Sequence, residues 1–168
     1  LEPRKNLLNA IKAMEILCSH GKSIELQIAS PSNWKSREIM DYIGRSPVKN
    51  SVRLLGFLPL DELKKKYLSC KALLYPSLYE GFGLPVLEAL TMDCPVLTSK
   101  NTVMQEIAGE SAIYFDPLDP SDIAEKIRLV YSETFDREIF LKNKNRILER
   151  YSWEISARKM LSSFESSP

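Results

Sequence analysis

Hydrophobic positions along the chain follow two periods that take turns from one end to the other. Leu7, Leu8, Ile11, Met14, Ile16 and Leu17 recur at helical spacing, with Asn6 in place for an N-cap and Gly21 just past the end. The run Ile24 to Ala29 then predicts a strand of the buried type, and a polar helix follows from about Ser36 to Gly44. A short strand from Val52 to Leu55 closes at Gly56. Asp61 to Ser69 predicts a helix after Pro59, with Lys64, Lys65 and Lys66 in solvent. The second half repeats this more tightly, with strands at Ala72 to Tyr75, Pro95 to Thr98 and Ala112 to Phe115. Between them lie a helix from Leu84 to Leu90, with Pro85 in its first turn, and a short one from Val103 to Ala108 stopped by Gly109. Pro120, Ser121 and Asp122 open a helix with Ile123, Ile127, Val130 and Tyr131 on one face. From Arg137 onward the pattern is helical, breaking near Tyr151 and Ser152 before a last helix that contains Trp153. This alternation predicts an α/β fold: a doubly wound parallel sheet of about six strands, Rossmann-like, with helices trailing at its C-terminal end. No repeat or low-complexity linker interrupts it, so residues 1–168 form one domain, or one lobe of something larger.

Composition narrows the picture by exclusion. With 44% hydrophobic and 27% charged residues the chain has the balance of a globular domain. Twenty-three Lys and Arg against 22 Asp and Glu leave a formal net charge of +1, so no global field favours nucleic acid or an anionic membrane, and any anion must be held locally. No apolar run reaches the ~18 residues needed to span a bilayer, and the opening Leu-Glu-Pro-Arg-Lys lacks a signal peptide's apolar core; the expected location is the cytoplasm. The chain starts at Leu1 without Met, directly before a helical pattern, and the expectation is that something is missing upstream. Cys18, Cys70 and Cys94 are odd in number and far apart in sequence, which argues against a disulfide framework or a zinc site and for small buried hydrophobes. His20 reads as a surface cap at a helix end, Lys64 to Lys66 as a solvated face, and Trp153 as a packing anchor. Tyr75, Tyr79 and Phe82 could stack on a base or pack the end of a strand.

In open parallel sheets ligands bind outside the carboxyl ends of the strands. That selects the loops after Tyr75, after Thr98, after Leu55 and before Leu7. The first stands out: Pro76-Ser77-Leu78-Tyr79-Glu80-Gly81-Phe82-Gly83-Leu84-Pro85 is a loop with two of the chain's six glycines, running into a helix that begins with proline. Glycine lets the backbone approach a ligand, and the N–H groups at the start of the Leu84 helix, with the positive end of its dipole, suit a phosphate. Glu88 lies near the end of the first turn, and helical side chains lean toward the N-terminus, so Glu88 and Glu80 can face one crevice. Carboxylates do not hold phosphate without a metal, but they accept from sugar hydroxyls. An anion cradle flanked by such acceptors has the chemistry of a nucleotide-sugar site. The residues alone equally allow Glu80 to be a surface residue and Glu88 an ordinary first-turn glutamate favoured by the dipole.

The stretch Glu80-Gly81-Phe82-Gly83-Leu84-Pro85-Val86-Leu87-Glu88-Ala89 resembles the two-glutamate motif in the C-terminal, donor-binding lobe of retaining GT-B glycosyltransferases (glycosyl transferases group 1, family four), which include glycogen synthases and mannosyltransferases of lipopolysaccharide and capsule. Further segments carry the resemblance along the chain: Leu1 to Leu7, Val52 to Phe57, and Tyr151-Ser152-Trp153-Glu154. It implies that Glu80 contacts hydroxyls of the transferred sugar and that Glu88 holds the ribose. Lys5 falls where the family keeps a lysine on the diphosphate; the usual partner arginine would precede Leu1, and Arg4 can add charge. Gly81, Phe82, Gly83 and Leu84 form the cradle, Gly56 and Phe57 lie by the base, and the segment from Ser99 to Thr102 closes over the phosphate and sugar. A lysine and a helix N-terminus can neutralise a leaving diphosphate without a metal, in keeping with the absence of any Asp-x-Asp pair. No cofactor is implied beyond the nucleotide-sugar substrate.

The sequence departs from the family pattern twice. Asp93 stands where relatives usually place a glycine, which asks it to adopt the left-handed conformation that Asp tolerates better than most residues. Val103-Met104-Gln105 replaces a small-residue and proline sequence before Glu106. The resemblance implies a lobe of a two-lobed retaining transferase for polysaccharide or glycolipid synthesis, lacking its first strand and its N-terminal acceptor lobe, and inactive alone. The opening residues incline it toward GDP-mannose. The full enzyme could associate peripherally with the inner face of a membrane. A non-catalytic nucleotide-sugar-binding module, or a lobe of a GT-B phosphorylase or epimerase, are the alternatives.

Overall fold

Strand and helix alternate as the pattern predicts. The computed structural model describes residues 3–21, 23–30 and 37–165; Leu1, Glu2 and Ser36, which enter the expectations above, lie outside them. The helices are α1 (Leu7–Ser19), α2 (Arg37–Arg45), α3 (Leu60–Ser69), α4 (Leu84–Thr91), α5 (Val103–Ala108), α6 (Pro120–Val130), α7 (Arg137–Lys142), α8 (Lys144–Arg150) and α9 (Trp153–Glu165). The strands are β1 (Leu26–Ala29), β2 (Val52–Gly56), β3 (Leu73–Tyr75), β4 (Val96–Ser99) and β5 (Ile113–Phe115).

All strand pairs are parallel: β1 with β2, β3 with β4, and β4 with β5. The five described strands form two hydrogen-bonded sheets, β1-β2 and β3-β4-β5, where one sheet of about six was expected. A shared core nevertheless joins them. Leu97 and Phe115 of the larger sheet lie in one buried cluster with Ile28 and Val52 of the smaller and with Ile11, Met14 and Leu17 of α1. The next residue along β4 serves the other face, because side chains alternate across a strand. Val96 packs with Val86 and Leu90 of α4 and Met104 and Ile107 of α5. Helices therefore cover both faces, which is the doubly wound arrangement, and β4, buried at all four positions, is its centre. Truncating a buried leucine such as Leu90 or Leu97 to alanine costs about 2–5 kcal/mol.

Several expectations are corrected. The strand at Ile24 to Ala29 is not buried throughout; β1 alternates, with Gln27 and Ala29 exposed and Ile28 inside, because its outer face meets no described element. Tyr131 caps α6 and is 40% exposed, while Ala124 takes its place on the buried face. Trp153 is no packing anchor: it is 84% exposed, and with Met160, Leu161 and Phe164 it leaves α9 with an uncovered apolar set. Asp93 adopts the left-handed conformation expected of it, with φ at 54°. His20 sits at the C-terminal end of α1 and contacts the Ile16 carbonyl at 2.6 Å, as a surface cap should.

Candidate functional site

The carboxyl ends of β3 and β5 are joined by an asparagine. Asn6, expected to cap α1 with its side chain, makes no such cap; its Nδ2 donates to Pro76 O at 3.1 Å and to Pro117 O at 2.6 Å. Its backbone is left-handed, φ 54°, a conformation Asn tolerates. The short helical turn Pro3–Lys5 is thereby set against the loop after β3, and Leu78 N donates to Arg4 O at 2.7 Å. Two cations meet Glu80 there. Arg4 Nη1 contacts Glu80 Oε2, and Lys5 Nζ donates to Glu80 Oε1 at 2.6 Å and to the Tyr75 hydroxyl at 3.3 Å. The Lys5 ammonium also lies 5.2 Å from the centre of the Tyr75 ring.

The Glu80 side chain is only 10% exposed. Burial opposes its ionisation, but the hydrogen bond and charge of Lys5 outweigh this and hold its carboxyl below the ordinary value. Burial likewise works against the Lys5 charge, and the Glu80 hydrogen bond and Tyr75 more than offset it, raising the ammonium pKa. Both partners stay charged at neutral pH. Two cations thus share the one carboxylate of Glu80.

The glycine loop continues from this corner into α4. Gly83 is its N-cap, with φ at 111°, and a Cβ placed there would lie 2.6 Å from Met104 Sδ, so a side chain is excluded on two grounds. Gly81 has open space where a Cβ would be. No side chain caps α4 among the described residues; Pro85 carries no N–H and Val86 N donates to Gly83 O at 2.9 Å, so the Leu84 amide is what the opening of the helix offers to whatever lies in front. Leu84 is half exposed at this end, and Phe82 stacks edge-on against Tyr151, ring centres 5.6 Å apart. Glu88 is exposed one turn further on, and its Oε2 accepts from the Tyr67 hydroxyl at 3.0 Å. With Leu60, Leu63 and Met92 these two border a cleft of about 140 Å³ between α3 and α4.

Gly56 ends β2 with φ 69°, and its carbonyl accepts from Ser30 N at 2.8 Å. Phe57 beyond it is 72% exposed. Ser99 is fully buried at the end of β4, its Oγ without a hydrogen-bond partner among the described residues. Thr102 caps α5: its hydroxyl accepts from Met104 N at 3.3 Å and donates to Ser99 O at 3.0 Å. The structure thus brings Arg4, Lys5 and Glu80 into direct contact. It gives Glu88 a separate partner and Thr102 a structural duty.

The sequence pattern of the family described as Glycosyl transferases group 1 matches residues 1–147. The chain belongs to this family. It is 28% identical over 166 residues to O-antigen chain mannosyltransferase B of Escherichia coli, covering 98% of this chain and 44% of that protein. It is 29% identical over 163 residues to the serotype-specific mannosyltransferase WbdA of the same species, covering 96% of the chain and 20% of the relative. Among solved structures, Anabaena Alr3699/HepE in complex with UDP-glucose superposes with a TM-score of 0.87 at 18% identity, over 99% of this chain and 47% of that one. TarM superposes with a TM-score of 0.82 at 23% identity, over 98% and 33%. The α/β fold is that of the GT-B glycosyltransferases. The chain spans less than half of each of these proteins.

Three residues of this group 1 chain matter more to the candidate site than its sequence suggested. Asn6 ties the cationic turn to two strand ends, and the signal for it was a polar residue before a helix, which a cap explains equally well. Tyr75 was placed near the loop, but its contact with Lys5 spans 70 positions and has no local signal. Tyr67 meets Glu88 across 21 positions for the same reason. No helix among the described residues is long and apolar enough to cross a membrane.

Proposed function

We propose that the chain is the donor-binding lobe of a retaining group 1 glycosyltransferase acting in polysaccharide or glycolipid synthesis, with GDP-mannose the favoured donor. The observation that carries this reading is the corner where Lys5 and Arg4 meet Glu80, on the loop that runs into the start of α4. A diphosphate placed there meets the Lys5 ammonium and the positive end of α4 with its Leu84 amide, which stabilise the charge that develops as the sugar leaves; no metal is required. Glu80 orients the hexose hydroxyls and Glu88 the ribose, so binding energy from the nucleotide positions the sugar for transfer. Gly56 and Phe57 stand by the base, and the segment from Ser99 to Thr102 borders the phosphate and sugar. The mannosyltransferase relatives support the sugar, and the neighbours bound to UDP or UDP-glucose support the ligand class.

In this account residues 1–168 are one lobe of two. A further parallel strand from upstream joins the β1-β2 and β3-β4-β5 sheets, which share a core without pairing. An N-terminal acceptor lobe meets the uncovered apolar residues of α9. This lobe alone binds donor without turning it over, and the whole enzyme works in the cytoplasm, at the inner face of a membrane when its acceptor is a lipid. Calorimetric titration of the chain with a panel of nucleoside diphosphates and nucleotide sugars tests the reading. One base should bind, best with its sugar attached, and Glu88→Ala should weaken it by about tenfold or more, as loss of a hydrogen bond to a charged group does. No binding at millimolar nucleotide, with no effect of Glu88→Ala, would overturn it.

A further inference from the structure

Two of the three cysteines, widely separated in sequence, meet in the fold. Cys70 follows the last turn of α3 and Cys94 precedes β4, and their sulfurs lie 3.2 Å apart. The sheet explains the approach. Leu73 of β3 is in parallel register with Val96 of β4, and Leu73 N donates to Pro95 O at 2.8 Å. Cys70 and Cys94 stand three and two residues before that register pair, on the two segments that lead into these neighbouring strands. Bond formation asks the sulfurs to close by about 1.2 Å, to the usual ~2.05 Å. Both backbones are fixed locally: Cys70 N donates to Lys66 O and Cys94 N to Ala89 O, each at 2.9 Å.

The two thiols differ in access and in charge. Cys94 is fully buried, whereas Cys70 is partly exposed. The hydrogen bond from Cys94 brings the Cys70 thiol down to about 7, against the opposing effect of burial and with help from the Arg137 guanidinium. The same hydrogen bond, with burial, pushes Cys94 up. Arg137 is held in place by donating to Asp93 O at 2.6 Å, on the turn that presents Cys94. Cys18 lies apart on α1.

We infer that Cys70 and Cys94 are a reversible dithiol–disulfide site that ties the end of α3 to the end of α4. Small disulfides such as oxidised glutathione are the oxidant class. The Cys70 thiolate attacks one sulfur of that disulfide and expels a glutathione thiolate, leaving Cys70 joined to glutathione. Cys94 then attacks the Cys70 sulfur, its proton passes to the departing second glutathione, and the protein disulfide closes. Two protein thiols are oxidised and one glutathione disulfide is reduced to two thiols, so electrons and protons balance. The link braces the wall that carries Tyr67, three residues before Cys70, and Glu88.

The test uses the 168-residue chain equilibrated in glutathione mixtures of rising oxidised fraction, quenched by alkylation and mapped by mass spectrometry. The expected result is an intact mass lower by two hydrogens, a fall from three alkylated cysteines to one, a Cys70–Cys94 cross-linked peptide, and full reversal by dithiothreitol. In Cys94→Ser, Cys70 should instead accumulate one glutathione. Three freely alkylated cysteines in the most oxidising mixture, a cross-link through Cys18, or stable glutathione adducts without the Cys70–Cys94 link in the native chain would each overturn the inference.

Discussion

Glu80 of the glycine loop and Glu88 of α4 stand eight residues apart in opposite physical states. Glu80 is nearly buried, with one carboxylate oxygen on Arg4 and the other on Lys5, while Glu88 is exposed and accepts from one neutral phenol. The difference is one of support: side chains from far along the sequence hold Glu80, and a single hydroxyl meets Glu88. Asn6 fixes the turn that bears both cations by donating to the carbonyls of Pro76 and Pro117. For the proposed site this implies competition, because a phosphate that takes Lys5 would have to draw it from Glu80. Glu88 has no such rival, and a carboxylate has acceptor sites beyond the one Tyr67 uses.

The largest effect is expected where the two regions share a ligand. Lys5→Ala should cost nucleoside diphosphate affinity about 10- to 100-fold by calorimetry, the loss of roughly 1.5–3 kcal/mol from a charge-assisted hydrogen bond. An unchanged affinity would place the phosphate elsewhere and break the comparison. Next comes the loop between them. Gly83→Ala should destabilise the chain by about 1–3 kcal/mol in urea denaturation, since it forces a Cβ onto Met104 at a positive φ. Gly81→Ala, with open space around it, should cost well under about 1 kcal/mol.

The smallest effect is in pH. The folded pKa of Glu80 lies below its unfolded value, so its contribution is complete above the ordinary carboxylate range and is lost as pH falls through the folded value. Lys5, whose folded pKa is raised, loses its contribution only as pH climbs through that higher value. Thermal melts from about pH 6 down to about pH 3 should decline less steeply in Glu80→Gln than in the native chain. Equal slopes would mean that Glu80 adds nothing to acid sensitivity.

The alternation of elements was legible because period 2 and period 3.6 are local properties, and Gly21, Gly56, Gly83 and Gly109 all mark turns with positive φ, as punctuation residues should. The glycine loop and both glutamates could be found the same way. What could not be found is pairing at long range. Nothing near Glu80 announces that Arg4 and Lys5 lie against it, nor does anything near Cys70 announce Cys94, because those contacts are set by sheet register rather than by neighbours in sequence. Burial at the rim is not legible for a related reason: Trp153 has the character of an anchor, but it is left exposed among the described residues.

The most direct test of the central claim, that Glu80 holds Lys5 until a donor arrives and then turns to its sugar, is paired calorimetry of GDP and GDP-mannose on the native chain and on Glu80→Gln. The account predicts that GDP binds the variant at least as tightly as the native chain, because a competitor for Lys5 has been removed, while the advantage of GDP-mannose over GDP disappears. GDP affinity that falls as far as in Lys5→Ala, with the advantage of the sugar intact, would contradict it.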